Sequence, residues 1–352
     1  MAHFFEKLLL VSWYGSFQWT RIFWPLTWLY GSIAKSKRQA FLAEKSQVSA
    51  NSVTNQKKVP VIIVGNITVG GTGKTPVVQT LVAELLNMGL KPGIVSRGYG
   101  GQCDNCPHLI QVGDEAGQVG DEPLMLFQSL NIPVVVDPNR NGALQKLLES
   151  DVNVVISDDG MQHYKLDRHI EVCVLDGLRG LGNGCLLPVG PLREPESRLN
   201  DVDFILRNYG DQSAYKIHSK YSNDTGFNIQ PTAWVNVVSG ETESFDDLSV
   251  AKDALAIAGI GNPQKFFDSL SQIKVAANEK GYPDHYAYSQ NDVADWPQQV
   301  LMTQKDAVKI KPIAQQLGRN DMWYLQIQAA LDETFLSQFK TQLLQIMESN
   351  HG

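Results

Sequence analysis

A chain of 352 residues can hold one large or two ordinary domains, and with 43% hydrophobic and 19% charged residues it reads as globular, not disordered. Its net charge of −7 argues against a general nucleic-acid binder. The charge is uneven: residues 1–58 carry eight Lys/Arg against Glu6 and Glu44, a net +6 that leaves −13 on the rest. A basic end on an acidic body suits an anionic surface such as phospholipid head groups. Cys103 and Cys106 form one CxxC with no second pair at zinc spacing, so we expect a reducing compartment and an incidental loop pair.

Residues 1–31 hold ten aromatics, among them Trp13, Trp19, Trp24 and Trp28. From Leu8 to Ala34 the chain is mostly apolar but interrupted by Gln18, Arg21 and Pro25. That is marginal for a spanning helix, which needs about 20 apolar residues. An interfacial helix or a marginal single span fits, because indole and phenol rings favour head-group depth. A buried aromatic helix is the bland alternative. Residues 35–58 are polar and read as a linker. Strands and helices then alternate: a strand at Val59–Gly65, a helix at Lys74–Met88, a strand at Gly93–Ser96 and a helix at Asp121–Leu130 with Asp121 as N-cap. Further strands are expected at Pro133–Asp137, Val152–Ser157, Glu171–Asp176 and Val202–Leu206, with a helix at Asn139–Leu148. Continuous apolar strands alternating with helices imply a parallel sheet covered on both faces. Beyond residue 210, Thr232–Val238 and Met322–Ala329 read as strands pairing in a ribbon around a smaller αβ unit. An amphipathic helix closes the chain at Thr334–Met347.

The turn Val69-Gly70-Gly71-Thr72-Gly73-Lys74-Thr75 follows a strand and opens a helix. Glycines let backbone N–H groups line phosphate oxygens, Lys74 can reach the β/γ-phosphates, and Thr75 can ligate Mg²⁺. The first glycine of G-x-x-x-x-G-K-[ST] falls on Thr68, one departure from the pattern. Asp158 and Asp159 end an apolar strand, where ligands of a doubly wound sheet collect, and can hold Mg²⁺.

These motifs continue in order as "SRGYGG" at Ser96–Gly101, "VGDEP" at Val119–Pro123, "SDDGMQH" at Ser157–His163, "LLPVGPLREP" at Leu186–Pro195, "AGIGNPQKFF" at Ala258–Phe267, "PDHYAY" at Pro283–Tyr288 and "TQKDAVK" at Thr303–Lys309. In this the chain resembles the tetraacyldisaccharide 4′-kinase family, the lipid A kinases of Gram-negative bacteria. The resemblance implies a P-loop NTPase-like, doubly wound, mostly parallel α/β sheet with a smaller αβ second domain and an N-terminal membrane-associated helix. The expected divisions are 1–34 (hydrophobic segment), 35–58 (linker), 59–222 (kinase core), 223–330 (ribbon and smaller domain) and 331–352 (C-terminal helix).

The resemblance further implies ATP-dependent phosphorylation of the 4′-hydroxyl of a tetraacyl glucosamine disaccharide 1-phosphate, giving lipid IVA, with ATP and Mg²⁺ as cofactors. The setting would be the cytoplasmic face of the bacterial inner membrane, with the lipid precursor and an anionic surface as partners, no nucleic acid and no obligate protein partner. Asp121, His285 and Lys74 would be catalytic, Asp121 as the base on the sugar hydroxyl and His285 as its companion. Thr68 to Thr75 would bind ATP. Thr75, Asp158, Asp159 and Glu194 would face the metal, and Arg140, Arg193 and Gln162 the substrate. Where many relatives read Asp-His-His, this chain has Asp284-His285-Tyr286. A membrane-recruited partitioning ATPase is the alternative, but Val69 stands where such loops carry their signature lysine. A GTP-binding module would need a base-reading motif that "TQKD" misspaces.

Overall fold

The protein is described by a computed structural model over residues 2–51, 59–210, 220–297 and 299–349. Helix α1 (Ala2–Tyr14), a 3₁₀ turn (Trp19–Phe23) and helix α2 (Trp24–Asn51) form the N-terminal arm. Pro25, at the start of α2, costs nothing there because its missing N–H would have no helical acceptor. The polar stretch expected to be a linker is helical through Asn51; residues 52–58 lie outside the described residues. Among the described residues no helix is long and apolar enough to cross a membrane, so the single span weighed from the sequence is not found there.

The core then follows as β1 (Val61–Gly65), α3 (Lys74–Asn87), β2 (Pro92–Ser96), β3 (His108–Leu109), α4 (Ala116–Val119), α5 (Asp121–Leu130), β4 (Val134–Val136), α6 (Arg140–Leu147), β5 (Val154–Asp158), β6 (Ile170–Asp176) and β7 (Phe204–Asn208). The remainder is β8 (Asp224–Asn236), β9 (Thr242–Glu243), β10 (Leu255–Ala258), α7 (Pro263–Gln272), β11 (Asn278–Gly281), α8 (Gln290–Ala294), β12 (Val300–Thr303), α9 (Gln304–Gln316), β13 (Met322–Ala330) and α10 (Glu333–Ser349). Most elements lie within a few residues of their expected positions.

One sheet runs through both units in the order β11-β10-β12-β13-β8-β7-β6-β1-β5-β2-β4-β3. In the core, β1 pairs in parallel with β5 on one side and β6 on the other. Side chains alternate across β1: Ile62 and Val64 enter one apolar layer, Val61 and Ile63 the opposite one. Burial on both faces is why these strands read as unbroken apolar runs. The expected ribbon is present, since β8 runs antiparallel to β13 from Asn228 to Asn236. The same strand also pairs in parallel with β7 at its other end, from Asp224 to Phe227. The smaller αβ unit is therefore continuous with the core sheet. The C-terminal helix folds back onto the core, where Phe335 meets Phe204 edge to face at 5.1 Å.

Three local readings change. Gly120, not Asp121, is the N-cap of α5, with φ +93. A Cβ at Gly120 would lie 2.7 Å from the Tyr99 carbonyl oxygen, so only glycine fits. Cys103 and Cys106, expected to be an incidental pair, are joined in a disulfide. The N-terminal arm is neither wholly buried nor free. Trp13 donates its indole N–H to the Pro188 carbonyl, Thr20 donates to Val189 O at 2.7 Å, and Tyr30 donates to Arg193 O at 3.0 Å. Its opposite face leaves Phe17, Ile22, Trp24, Trp28 and Leu29 exposed.

Candidate active site

The phosphate loop leaves β1 and enters α3. Gly70 (φ +109) and Gly73 (φ +97) take backbone conformations open to glycine, and Gly73 caps α3. Open space surrounds the Cβ positions of Gly70 and Gly71, so this stretch of backbone is available to a ligand. The loop is braced from three sides. Val69 N–H donates to Pro191 O at 2.9 Å, Arg193 N–H donates to Ile67 O at 2.7 Å, and Asn208 Nδ2 donates to Thr72 O at 3.3 Å. The buried Thr72 hydroxyl has no hydrogen-bond partner, a vacancy a phosphate oxygen would satisfy. Thr68 is buried, and its backbone pairs with Leu192 in an isolated bridge.

Beside the loop, β5 ends at Asp158 and turns through Asp159, whose φ of +49 is rare for a residue with a side chain. Asp159 lies 3.5 Å from Lys74 Nζ and accepts from Arg193 at 3.0 Å. Burial works to raise the Asp159 pKa, but Lys74 and Arg193 outweigh it and hold the carboxyl below its usual range. Asp158 shows the opposite balance: burial, with Glu122 and Asp159 nearby, pushes it well up against Lys74 and Arg140. Its Oδ1 is buried without a hydrogen-bond partner. An orphaned buried carboxyl oxygen at the end of β5, within the field of Lys74, fits a hard divalent cation such as Mg²⁺, which binds through one or two carboxylates plus substrate phosphates. Among the described residues no group of three or more His, Cys, Asp or Glu is placed to hold a metal ion.

Arg140 is buried at the start of α6, donating to the backbone carbonyls of Asp137 at 2.9 Å and Asp158 at 3.4 Å. Burial lowers its pKa to about 10. It buttresses the Asp158 turn from below. Gln162 donates to Asn66 O at 2.9 Å and to Glu194 at 2.8 Å, while its carbonyl lies 3.4 Å from Arg193. Glu194 is buried and also accepts from the Tyr164 hydroxyl, with Arg198 3.5 Å away. Each of its oxygens thus has a donor, and Gln162 and Arg193 connect it to Asp159.

The second half of the site comes from the smaller unit. His285 sits in the loop after β11 with φ +58, its own N–H donating to Asp284 at 3.0 Å. Its Nδ1 lies 3.0 Å from Asp121 Oδ2 on α5. Burial works to raise the Asp121 pKa, yet the His285 hydrogen bond and the Lys309 and Lys305 ammoniums hold it below the ordinary aspartate value. Tyr99, from the "SRGYGG" loop, meets the imidazole edge to face at 5.3 Å. The structure therefore brings together Asp121 with His285, and Lys74 with Asp159. It adds four residues to which the sequence reading gave no role: Lys305 and Lys309 on α9, Glu122, and Asn208 at the end of β7. Lys305 and Lys309 were legible in principle, since a four-residue spacing sets them on one helix face.

A phosphate loop on a doubly wound sheet, with an acid–histidine pair formed where α5 of the core meets the smaller unit, defines a P-loop phosphotransferase. The family profile described as tetraacyldisaccharide-1-P 4′-kinase matches residues 19–346. The tetraacyldisaccharide 4′-kinase of Hahella chejuensis is 42% identical over 335 residues, covering 94% of this chain and 95% of its own. That of Pseudomonas putida strain GB-1 is 40% identical over 345 residues, 97% and 98% of the two chains. LpxK from Aquifex aeolicus, solved in complex with ATP, superposes with a TM-score of 0.73 at 25% identity, covering 93% of this chain and 99% of its own. The chain belongs to the tetraacyldisaccharide 4′-kinase family.

Proposed function

We propose that this protein transfers the γ-phosphoryl group of ATP to the 4′-hydroxyl of a tetraacyl glucosamine disaccharide 1-phosphate, giving lipid IVA, at the cytoplasmic face of the inner membrane. The observation that carries the reading is the Asp121–His285 contact of 3.0 Å, which joins an ionised carboxylate of the core to a histidine of the smaller unit. Phosphoryl transfer asks for positioning, neutralised oxygen charge and an oriented nucleophile. The loop backbone from Val69 to Thr75 cradles the phosphates, and Lys74 offsets their charge. Asp121 accepts the sugar hydroxyl proton, and its hydrogen bond to His285 orients the acceptor oxygen of the carboxylate. Mg²⁺, when held by Thr75 and Asp158, would neutralise charge on the transferring group. Arg193 is half-exposed beside Asp159 and is available to a substrate phosphate. The exposed aromatic face of the N-terminal arm supports work at a bilayer, because the acceptor lipid resides there.

The test is transfer of labelled phosphate from ATP to the purified disaccharide lipid, with Lys74→Met as control. Lipid-dependent transfer by the natural chain, lost in a folded Lys74→Met variant, is the expected result. ATP turnover that ignores the lipid would point instead to an ATPase switch and overturn the reading.

A further inference from the structure

His285 has two ring nitrogens, and only one faces Asp121. The other, Nε2, lies 3.5 Å from Lys305 Nζ. Lys305 is largely buried at the start of α9, where its ammonium also reaches Asp284 at 3.1 Å and Glu122 at 3.3 Å. Glu122 belongs to α5 in the core; Asp284 and His285 belong to the smaller unit. A single ammonium thus joins the two halves of the site at the point where His285 meets Asp121.

The chemistry of this contact fixes a protonation state. Asp121, ionised, can only accept, so Nδ1 must carry the proton it shares with Asp121. An ammonium likewise can only donate, so the nitrogen facing Lys305 must be bare. Burial disfavours the Lys305 charge, but Glu122 and Asp284 outweigh it and keep the amine protonated. Protonating Nε2 would set two cations about 3.5 Å apart. Lys309 adds a further positive charge 3.9 Å from Asp121. Asp121 itself, Glu122, and Asp284 at 3.9 Å from Nε2 pull the other way. Tyr99 contributes only its ring edge.

We propose that Lys305 is a positioning residue for the transfer reaction, holding His285 in the neutral tautomer that bears its proton on Nδ1 and donates it to Asp121. This rests on the reading of Asp121 and His285 as the acid–base pair. Lys305 does not touch the transferring group; it sets the state of the residue that orients the base. Asp121 is held ionised below its ordinary range, so a loss of activity on mild acidification tests whether the imidazole has gained a second proton.

The experiment compares the natural chain with Lys305→Met, Lys305→Arg and His285→Gln. Removing the ammonium relieves its repulsion of the imidazolium, so the acid limb of kcat should move to higher pH in Lys305→Met, by about one unit. At neutral pH kcat should fall about tenfold, with KM for ATP changed less than twofold. Lys305→Arg, which keeps the charge, should restore the limb. Nitrogen-15 spectra of labelled histidine, with His285→Gln used for assignment, should show His285 in the Nδ1–H form in the natural chain at neutral pH. A folded Lys305→Met variant with an unmoved limb overturns the proposal. So does a natural chain whose His285 is protonated on Nε2 at neutral pH, a measurement that stands even if Lys305→Met fails to fold. If His285→Gln keeps full activity, the acid–base reading itself has failed; if His285→Gln is impaired and Lys305→Met is not, only the role of Lys305 has.

Discussion

His285, and the Gly120 that precedes Asp121, occupy backbone conformations that most residues avoid. His285 has φ +58, and Asp121 follows a glycine at φ +93. Such conformations persist where surroundings over-determine them, and here Tyr99, Asp284 and Lys305 surround the imidazole. If Asp121 and His285 act as one unit, removing either should cost about 10²–10⁴-fold in turnover, the usual worth of general-base help. Asp121→Ala with His285→Ala should then be little worse than the poorer single variant. Multiplicative losses in steady-state kinetics would show separate tasks. The phosphate loop was legible because its chemistry is local: glycines, Lys74 and Thr75 are contiguous. The pairing of Lys305 with Glu122 was not, because it is a contact across 183 positions of sequence. Glu194 was expected at the metal from its motif; that Gln162 and Tyr164 meet it from a neighbouring turn was not readable from spacing.

Helix α2 shows where element-level reading failed and why. Residues 35–51 were expected to link because they are polar, yet Ala, Lys, Gln, Glu and Arg are strong helix formers. Polarity without Gly or Pro leaves a helix open, and this one seats against the core. Arg38 pairs with Asp201, and Phe41 lies 5.4 Å from Tyr164 with the Arg168 guanidinium 4.9 Å from its ring centroid. Behind that seat Glu171 accepts from both Arg168 and Arg198, all three buried. Glu171→Gln would keep the shape and leave two buried guanidiniums short of their shared counter-charge. Breaking such a buried pair costs about 3–5 kcal/mol, so urea unfolding should register a loss of that order. A loss under about 1 kcal/mol, the scale of an exposed pair, would show that Glu194 and solvent compensate. The strands were readable for the opposite reason: burial on both faces leaves an apolar run with no competing interpretation. What sequence could not give was the double pairing of β8, because a strand's second neighbour is set by the whole sheet.

At the scale of the molecule, the reacting groups lie between two units joined by one sheet, and the N-terminal arm is fastened to the same site. Tyr30 and Thr20 hold the Val189–Arg193 segment that braces the phosphate loop. Deleting residues 1–34 would therefore disturb the loop as well as any membrane contact, and its outcome would be ambiguous. The exposed face offers a cleaner test. Ile22, Trp24 and Trp28 are 73%, 54% and 75% exposed and do not take part in that fastening. Arg21, Lys35 and Lys37 lie on the same arm, and each cation near an anionic surface adds about 1 kcal/mol of attraction. Burying one such large apolar side chain contributes about 1.5–3 kcal/mol. Replacing Ile22, Trp24 and Trp28 together by serine should thus lower partitioning onto anionic vesicles by at least about a hundredfold. KM for the lipid acceptor should rise, while KM for ATP and the melting temperature stay near the natural values, because these side chains support nothing inside. Vesicle sedimentation and acceptor kinetics on the triple variant measure both. Unchanged sedimentation with unchanged acceptor KM would mean that the aromatic face meets something other than the bilayer, and that the lipid reaches Asp121 by another route.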